Sequence, residues 1–375
     1  MSLGSSLPSY ETQTEWLRGT GAESDVVMSS RVRVARNLAG FPFVARASHA
    51  ERQRVLEACR ARILAAGTRE ALVWVNLHEC AQAERTLLVE RHLISKQHAK
   101  GKPQPEKAGI PKAATRTVDD PRGVAIAVPG ERVSIMVNEE DHLRMQVIRG
   151  GLALADAWNE IDQIDDGLES GLEYAFSPRF GYVTACPTNV GTGVRMSVML
   201  HLPGLKLTGE IEKVKRAATD MNLAVRGFYG EGSDAAGDFY QISNQTTLGK
   251  AESVILHELQ NEIIPRVIEY ERAARRMLAT KRRASLEDQA FRALGVLTHA
   301  RLLATDEAMQ TLSHLRLGVV MGIIPGIEVT TVNHLMLLVQ PAHLQRVLNT
   351  EMDQDQRRAA RATLVRSRLA IRQSM

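Results

Sequence analysis

The stretch CPTNVGTGVRMSVMLHLPGL, residues 186–205, sets a cysteine, a proline turn, a Gly-Thr-Gly pivot and a single arginine directly before an apolar run. The apolar run reads as core. Packing alone does not require a thiol and a guanidinium around a glycine pivot at the edge of that core. Glycines there let backbone or ligand approach closely. What the rest of the chain brings to the same place decides its chemistry.

A chain of 375 residues is long enough for two domains with substantial cores. A hydrophobic fraction of 44% and a charged fraction of 24% are those of an ordinary globular protein. A net charge of +4 with 4% aromatics argues against a nucleic-acid partner. The first 18 residues are polar and lack the apolar segment of a signal peptide. The best membrane candidate, LGVVMGIIPGIEV (317–329), is short and broken by Pro325. The chain therefore reads as soluble and cytoplasmic, with no membrane partner. Cys59, Cys80 and Cys186 are odd in number and lack metal-ligand spacing, so neither a disulfide framework nor a zinc site is indicated.

Strand-like runs at 71–77, 123–138, 181–186, 223–229 and 238–243 alternate with helical periodicity at 48–66, 83–92, 150–172 and 208–221. The second run contains Pro129-Gly130, a hairpin signal. The irregular order predicts an α+β fold, an antiparallel or mixed sheet flanked by helices rather than a doubly wound sheet. From residue 251 the pattern is helical, through 285–295, 304–317, 330–347 and 353–372. The expected division is thus 1–250 for a catalytic unit and 251–375 for an all-helical one. Residues 96–122 carry seven Lys or Arg, three acids and four prolines, the composition of a solvated, mobile insertion. The run HLRLGVVMGIIPGIEVTTVNHLMLLVQP (314–341) is more apolar than a solvated bundle requires, and a second copy of the chain would cover the surplus as a homodimer.

Four charged clusters fall at the ends of apolar elements. SSRVRVARN (29–37) holds Arg31 and Arg33 two apart, on one face if extended. NEEDHLRM (138–145) sets Glu139, Glu140 and Asp141 before Arg144. The opening stretch holds Arg195, and VRGFYGEGSD (225–234) carries Arg226 into a glycine-rich loop with Glu231. Taken singly, each has a dull explanation in surface arginines, an acidic turn or a flexible loop. Together they supply five arginines to clamp phosphate and several carboxylates, without the G-x-x-x-x-G-K-[ST] loop of nucleoside triphosphatases.

SSRVRVARN, NEEDHLRM, CPTNVGTGVR and VRGFYGEG, in this order, resemble the phosphagen (guanidino) kinase family. VERHLIS (89–95), QISNQTTLGK (241–250) and the helical tail resemble its bacterial protein-arginine kinase branch. The resemblance implies that Arg31, Arg33, Arg144, Arg195 and Arg226 cradle ATP, with His92 by the base. It implies Mg²⁺ carried on the ATP phosphates, with Glu139 in its outer shell. It further implies that Glu140 and Glu231 hold the substrate guanidinium, Asp141 orients Glu140, and Cys186 contacts the guanidinium as a thiolate. Creatine and arginine kinases place a small helical lid ahead of the S-S-R-V-R motif, whereas 28 residues precede Ser29 here. The expected substrate is accordingly an exposed arginine on a protein. The branch also implies a zinc-finger activator, delivery of marked proteins to a Clp-type unfoldase and a homodimer. Its phosphoarginine-binding pattern, R-D-x-x-R-A, appears as QDQRRA (354–359): Asp355 and Arg358 match, while Gln354 departs. An i,i+3 surface ion pair is the competing reading of those two residues. A kinase for a free guanidino metabolite and a non-catalytic phosphoarginine-reading scaffold are the alternative functions.

Overall fold

The computed structural model describes residues 14–101, 120–228 and 236–370. Its strands are β1 (Val27–Arg36), β2 (Ala71–Asn76), β3 (Gly123–Val128), β4 (Val133–Val137), β5 (Leu143–Gly150), β6 (Phe176–Ser177), β7 (Gly181–Tyr182), β8 (Val194–His201), β9 (Leu223–Arg226) and β10 (Phe239–Asn244). Eight of them form one sheet in the order β2-β3-β4-β5-β1-β8-β10-β9. Every neighbouring pair is antiparallel, so the sheet is antiparallel rather than mixed. β6 and β7 make a separate hairpin.

Side chains alternate across a strand, and directly paired residues of antiparallel neighbours point to the same side. Val32 and Val34 of β1, Met145 and Val147 of β5, and Val194, Met196 and Val198 of β8 therefore share one face, the floor of the first core. The helix His49–Ala66, opened by a Ser48–Glu51 capping box, covers this face with Leu154–Glu169 and Ile211–Asp220. The same core takes in Ile255, Leu259, Ile264 and Ile268. Packing thus carries the first unit well past residue 250, where the change from strands to helices had placed the division. The helix Arg283–His299 packs instead into a second core through Ala290, Ala293 and Leu297.

Among the described residues the opposite face is covered at two places. Val75, Val124, Ile126 and Met136 are capped by Leu88, Leu93 and Ile94. Met28, Ile148, Met199 and Phe239 are capped by the C-terminal helices through residues such as Leu312, Leu335 and Met336. A polar trough lies between these patches. The apolar run 314–341 is consumed within the chain: Leu315, Leu317, Ile324, Val332, Leu335 and Val339 are all buried. Its apolarity therefore reflects packing on the sheet, and the surplus that was to call for a second copy is covered.

Two expectations are corrected. Residues 181–186 are not a strand: only Gly181–Tyr182 pairs, and a 3₁₀ turn Pro187–Asn189 follows. Pro187 has no N–H for a ladder, and the Ala185 N–H goes to the Asp141 carboxylate at 2.7 Å. Nor are the ends of the basic segment a solvated insertion. Lys96–Lys100 is a short helix with His98 and Ala99 buried, and Arg122 is buried as well; residues 102–119 lie outside the described residues. Among the described residues no helix is long and apolar enough to cross a membrane.

Candidate active site

Sheet register assembles the arginines. Arg33 lies directly opposite Arg195 on β8 and Gln146 on β5, while Arg31 lies opposite Ser197 and Arg226 opposite Gln241. All point into the trough, as does Arg144, which pairs with Met136. The resulting cavity of about 420 Å³ is lined by Arg31, Arg33, Arg144, Arg195 and Arg226 together with His92, Glu139, Glu140 and Cys186. Residues spread over almost 200 positions of sequence meet because four adjacent β-ladders hold one register.

The cavity's lining carries a surplus of positive over negative side chains. Burial and the charges of Arg144, Arg195 and Arg226 push Arg31 down to about 10. Burial and the same neighbours, Arg31 included, lower Arg33 further. Both remain protonated at neutral pH. Among the described residues, Arg31 Nε and Arg33 Nε and Nη2 are buried with no protein acceptor. Donors left this way await an anion with several oxygens.

Arg144 is handled differently. Its Nη1 donates to Glu139 Oε2 at 2.8 Å and lies 3.8 Å from Glu140 Oε2. Glu139 also accepts from the Ser95 hydroxyl and from the Glu140 N–H at 2.9 Å. Burial alone would raise Glu139, but Arg144 and Ser95 bring it down to about 2. Both oxygens of Glu139 are thereby engaged. Among the described residues no group of three or more His, Cys, Asp or Glu is placed to hold a metal ion.

Asp141 belongs to the frame rather than the cavity. It is buried, and it accepts from Asn37 Nδ2 at 2.6 Å and from the Ala185 N–H at 2.7 Å. It thereby fixes the backbone just before Cys186. Cys186 faces the cavity with Sγ 3.0 Å from Thr188 Oγ1. The glycine pivot is a requirement of close packing: Gly191 has φ +111°, and a Cβ there would stand 2.6 Å from the Thr247 carbonyl. Gly193 has φ +68°, with the Ala35 carbonyl 2.7 Å from the same point. The opening stretch thus holds Cys186 and Arg195 on one wall because only glycine passes between β1 and the 247 loop.

His92 sits at the end of the trough, edge-on to Trp16 and Phe228 at 5.3 and 5.1 Å. Burial, with Arg31 and Lys96 nearby, lowers it to about 3, so the ring is neutral. An aromatic niche beside a cationic trough suits a base beside its phosphates. Sequence reasoning missed Ser95, Lys96, Gln146 and Gln241, all of which line the cavity. Lys96 had been assigned to the basic insertion, and the polar residues of β5 and β10 alternate with core residues, a period-two signal that was available. Glu231 lies outside the described residues. Asp355 and Arg358 are not among the cavity's lining residues and form an exposed pair 3.7 Å apart on the helix Gln354–Ala370.

Residues 55–274 match the C-terminal catalytic domain of the ATP:guanido phosphotransferases. Residues 283–375 match the C-terminal domain of protein-arginine kinase McsB. The protein-arginine kinase of Symbiobacterium thermophilum is 44% identical over 361 residues, covering 96% of this chain and 97% of its own. That of Pelotomaculum thermopropionicum is 45% identical over 363 residues, 95% and 96% of the two chains. Among solved structures, taurocyamine kinase from Schistosoma mansoni with bound transition-state analog components aligns with a TM-score of 0.55 at 27% identity, over 71% of this chain and 36% of that one. Lombricine kinase aligns with a TM-score of 0.54 at 25% identity, over 71% of each chain. With the arginine trough, its acidic rim and the Cys-Pro-Thr-Asn wall in place, these matches assign the chain to the ATP:guanido phosphotransferase family, to its protein-arginine kinase branch.

Proposed function

We propose that the chain transfers the γ-phosphoryl group of ATP to the guanidine of arginine side chains in proteins. The observation that carries the reading is five arginines on one open sheet face, with buried donors on Arg31 and Arg33 that have no acceptor among the described residues. Phosphoryl transfer asks the protein chiefly for positioning and charge neutralisation. In this reading Arg31, Arg33, Arg195 and Arg226 cradle the polyphosphate, Arg144 is aimed by Glu139, and His92 marks the base. The magnesium ion belongs to the substrate, MgATP, and rides on phosphate oxygens.

The acceptor is the harder half. An arginine guanidinium gives up its proton only far above neutral pH, so freeing its nitrogen before attack at pH 7 would cost about 9 kcal/mol. Proton loss must accompany attack. The guanidine nitrogen bonds to the γ-phosphorus, the bond to the β,γ-bridging oxygen breaks, ADP leaves, and the proton passes to a carboxylate. Glu140 and Cys186 line the cavity, and in this reading they hold that cation together with Glu231. Relatives named protein-arginine kinase along nearly the whole chain support a protein-borne arginine over a free metabolite. The family likeness extends the proposal to Clp-type proteolysis of marked proteins, a zinc-finger activator, a homodimer and a cytoplasmic setting.

The test is incubation with MgATP and either an unfolded arginine-rich protein or free arginine. Acid-labile phosphate on the protein is expected. Label on free arginine alone would overturn the reading.

A further inference from the structure

The loop that carries Cys186 has a second side. There an open groove of about 320 Å³ lies between the β6–β7 hairpin and residues 247–250. Phe176, Phe180 and Leu248 line it and are 59%, 46% and 55% exposed. Three large apolar side chains gathered in one surface groove, rather than scattered singly, mark a contact site.

The backing of the groove is firm. The Phe176 ring stands edge-on to Tyr182 at 5.3 Å. Tyr182 lies under the Arg36 guanidinium, 3.4 Å from the ring centre, and Arg36 is tied to Asp165 at 2.5 Å. Thr247 Oγ1 donates to the carbonyls of Thr188 and Val190 at 3.1 and 2.7 Å, joining the groove to the loop. That loop is a shared wall. Cys186, Thr188 and Asn189 face the catalytic cavity, while Gly191 and Thr192 face the groove.

We propose that this groove takes an aromatic or large aliphatic side chain of a polypeptide substrate, a few residues from the arginine that is phosphorylated. The inference rests on the protein-arginine reading above. Continuity with the catalytic cavity selects the occupant: a chain that presents arginine at Cys186 runs over this wall. An extended chain advances about 3.3 Å per residue, and the proposal places the apolar side chain about two to four residues from the arginine. Large apolar side chains are more often buried in folded protein than in an unfolded chain, so an arginine with an accessible apolar neighbour is commoner in unfolded protein. The groove therefore gives the enzyme a way to prefer unfolded substrates.

The experiment compares two peptides, one with phenylalanine three residues from its single arginine and one with serine there, on the full chain and on the double variant F176S/L248S. The wild type is expected to favour the phenylalanine peptide at least about tenfold in kcat/KM, the range for one filled apolar pocket. The variant should lose that preference through KM while labelling the serine peptide as the wild type does. Equal use of both peptides by the wild type, or a preference that survives in the variant, overturns the groove and leaves the kinase reading standing. Light scattering forms a separate arm: a variant that keeps its peptide preference but loses a dimer assigns the groove to a second copy and also overturns the proposal. A wild type that labels free arginine and neither peptide removes the protein-arginine reading itself, a distinct result.

Discussion

Two acid–arginine pairs with similar short spacing in sequence have opposite fates. Glu139 and Arg144 are 2.8 Å apart, with side chains 2% and 17% exposed, and Ser95 and the Glu140 N–H complete the carboxylate's shell. Asp355 and Arg358 are 3.7 Å apart, with side chains 90% and 44% exposed and one helix turn between them. Neither spacing nor composition separates the pairs. Position does. Arg144 sits on a strand whose register aims it into a trough of like charge, so its partner must be fixed. Arg358 sits on a solvated helix face, where water screens the pair and the interaction is worth a few tenths of a kcal/mol at most.

The largest test of this difference is Arg144→Ala. It strips a buried carboxylate of its counter-charge and is expected to destabilise the fold by about 3–5 kcal/mol, the range for breaking a buried pair. Turnover should fall by about 10²–10³ as a charge-stabilising donor is lost. Arg144→Lys should recover more stability than turnover, because an ammonium supplies charge without the planar fork. Denaturant unfolding beside phosphate labelling reads both quantities. Wild-type stability in the alanine variant would show that Arg144 is not what holds Glu139.

A middle-sized effect is expected from acid. Glu139 stands at about 2 in the folded state against an ordinary 4.5. Its carboxylate therefore contributes stability in full above about pH 4.5, and the contribution is lost as pH falls from there toward 2. The shift corresponds to roughly 3 kcal/mol. Glu139→Gln should lower stability at neutral pH, and the gap to the wild type should narrow as pH falls from about 4.5 toward 2. A gap of constant size across that window would mean that Glu139 gives packing and hydrogen bonds, with its charge irrelevant.

Much of this site could be read from sequence, and the boundary of legibility is physical. Arg31 and Arg33 announced a shared face because a strand has period two. The glycine pivot announced a close approach, which the Thr247 and Ala35 carbonyls supply. Register is what sequence hides. That Arg33 meets Arg195, and Gln241 meets Arg226, follows from ladders linking residues more than 160 and 14 positions apart. The acids show the same limit. NEED offers three adjacent carboxylates, and only the turn after β4 decides their fates: Glu139 is buried on Arg144, Glu140 lines the cavity, and Asp141 is spent on the Ala185 N–H. The helices just after residue 250 show a related limit, since they pack into the first core. Helical periodicity tells that a segment is a helix, while its partner, here the sheet's apolar face, is a tertiary fact.

The smallest expected effect decides whether the comparison holds. Asp355→Ala/Arg358→Ala should leave stability within about 0.5 kcal/mol of the wild type, as exposed substitutions do, and should leave the labelling rate unchanged. The sharper arm adds phosphoarginine. A ligand that binds the native state at 100 times its Kd stabilises by about 2.7 kcal/mol, a readily measured rise in Tm. Site occupancy in the arginine trough would raise Tm in both proteins, so the informative quantity is the difference between them. No difference is expected: one exposed guanidinium, already facing Asp355 and lacking the arginine that Gln354 replaces, offers a phosphoryl group little beyond what bulk water gives. A rise in the wild type that the double variant loses would make the exposed pair a ligand site. It would also show that exposure alone does not sort functional from incidental pairs in this protein.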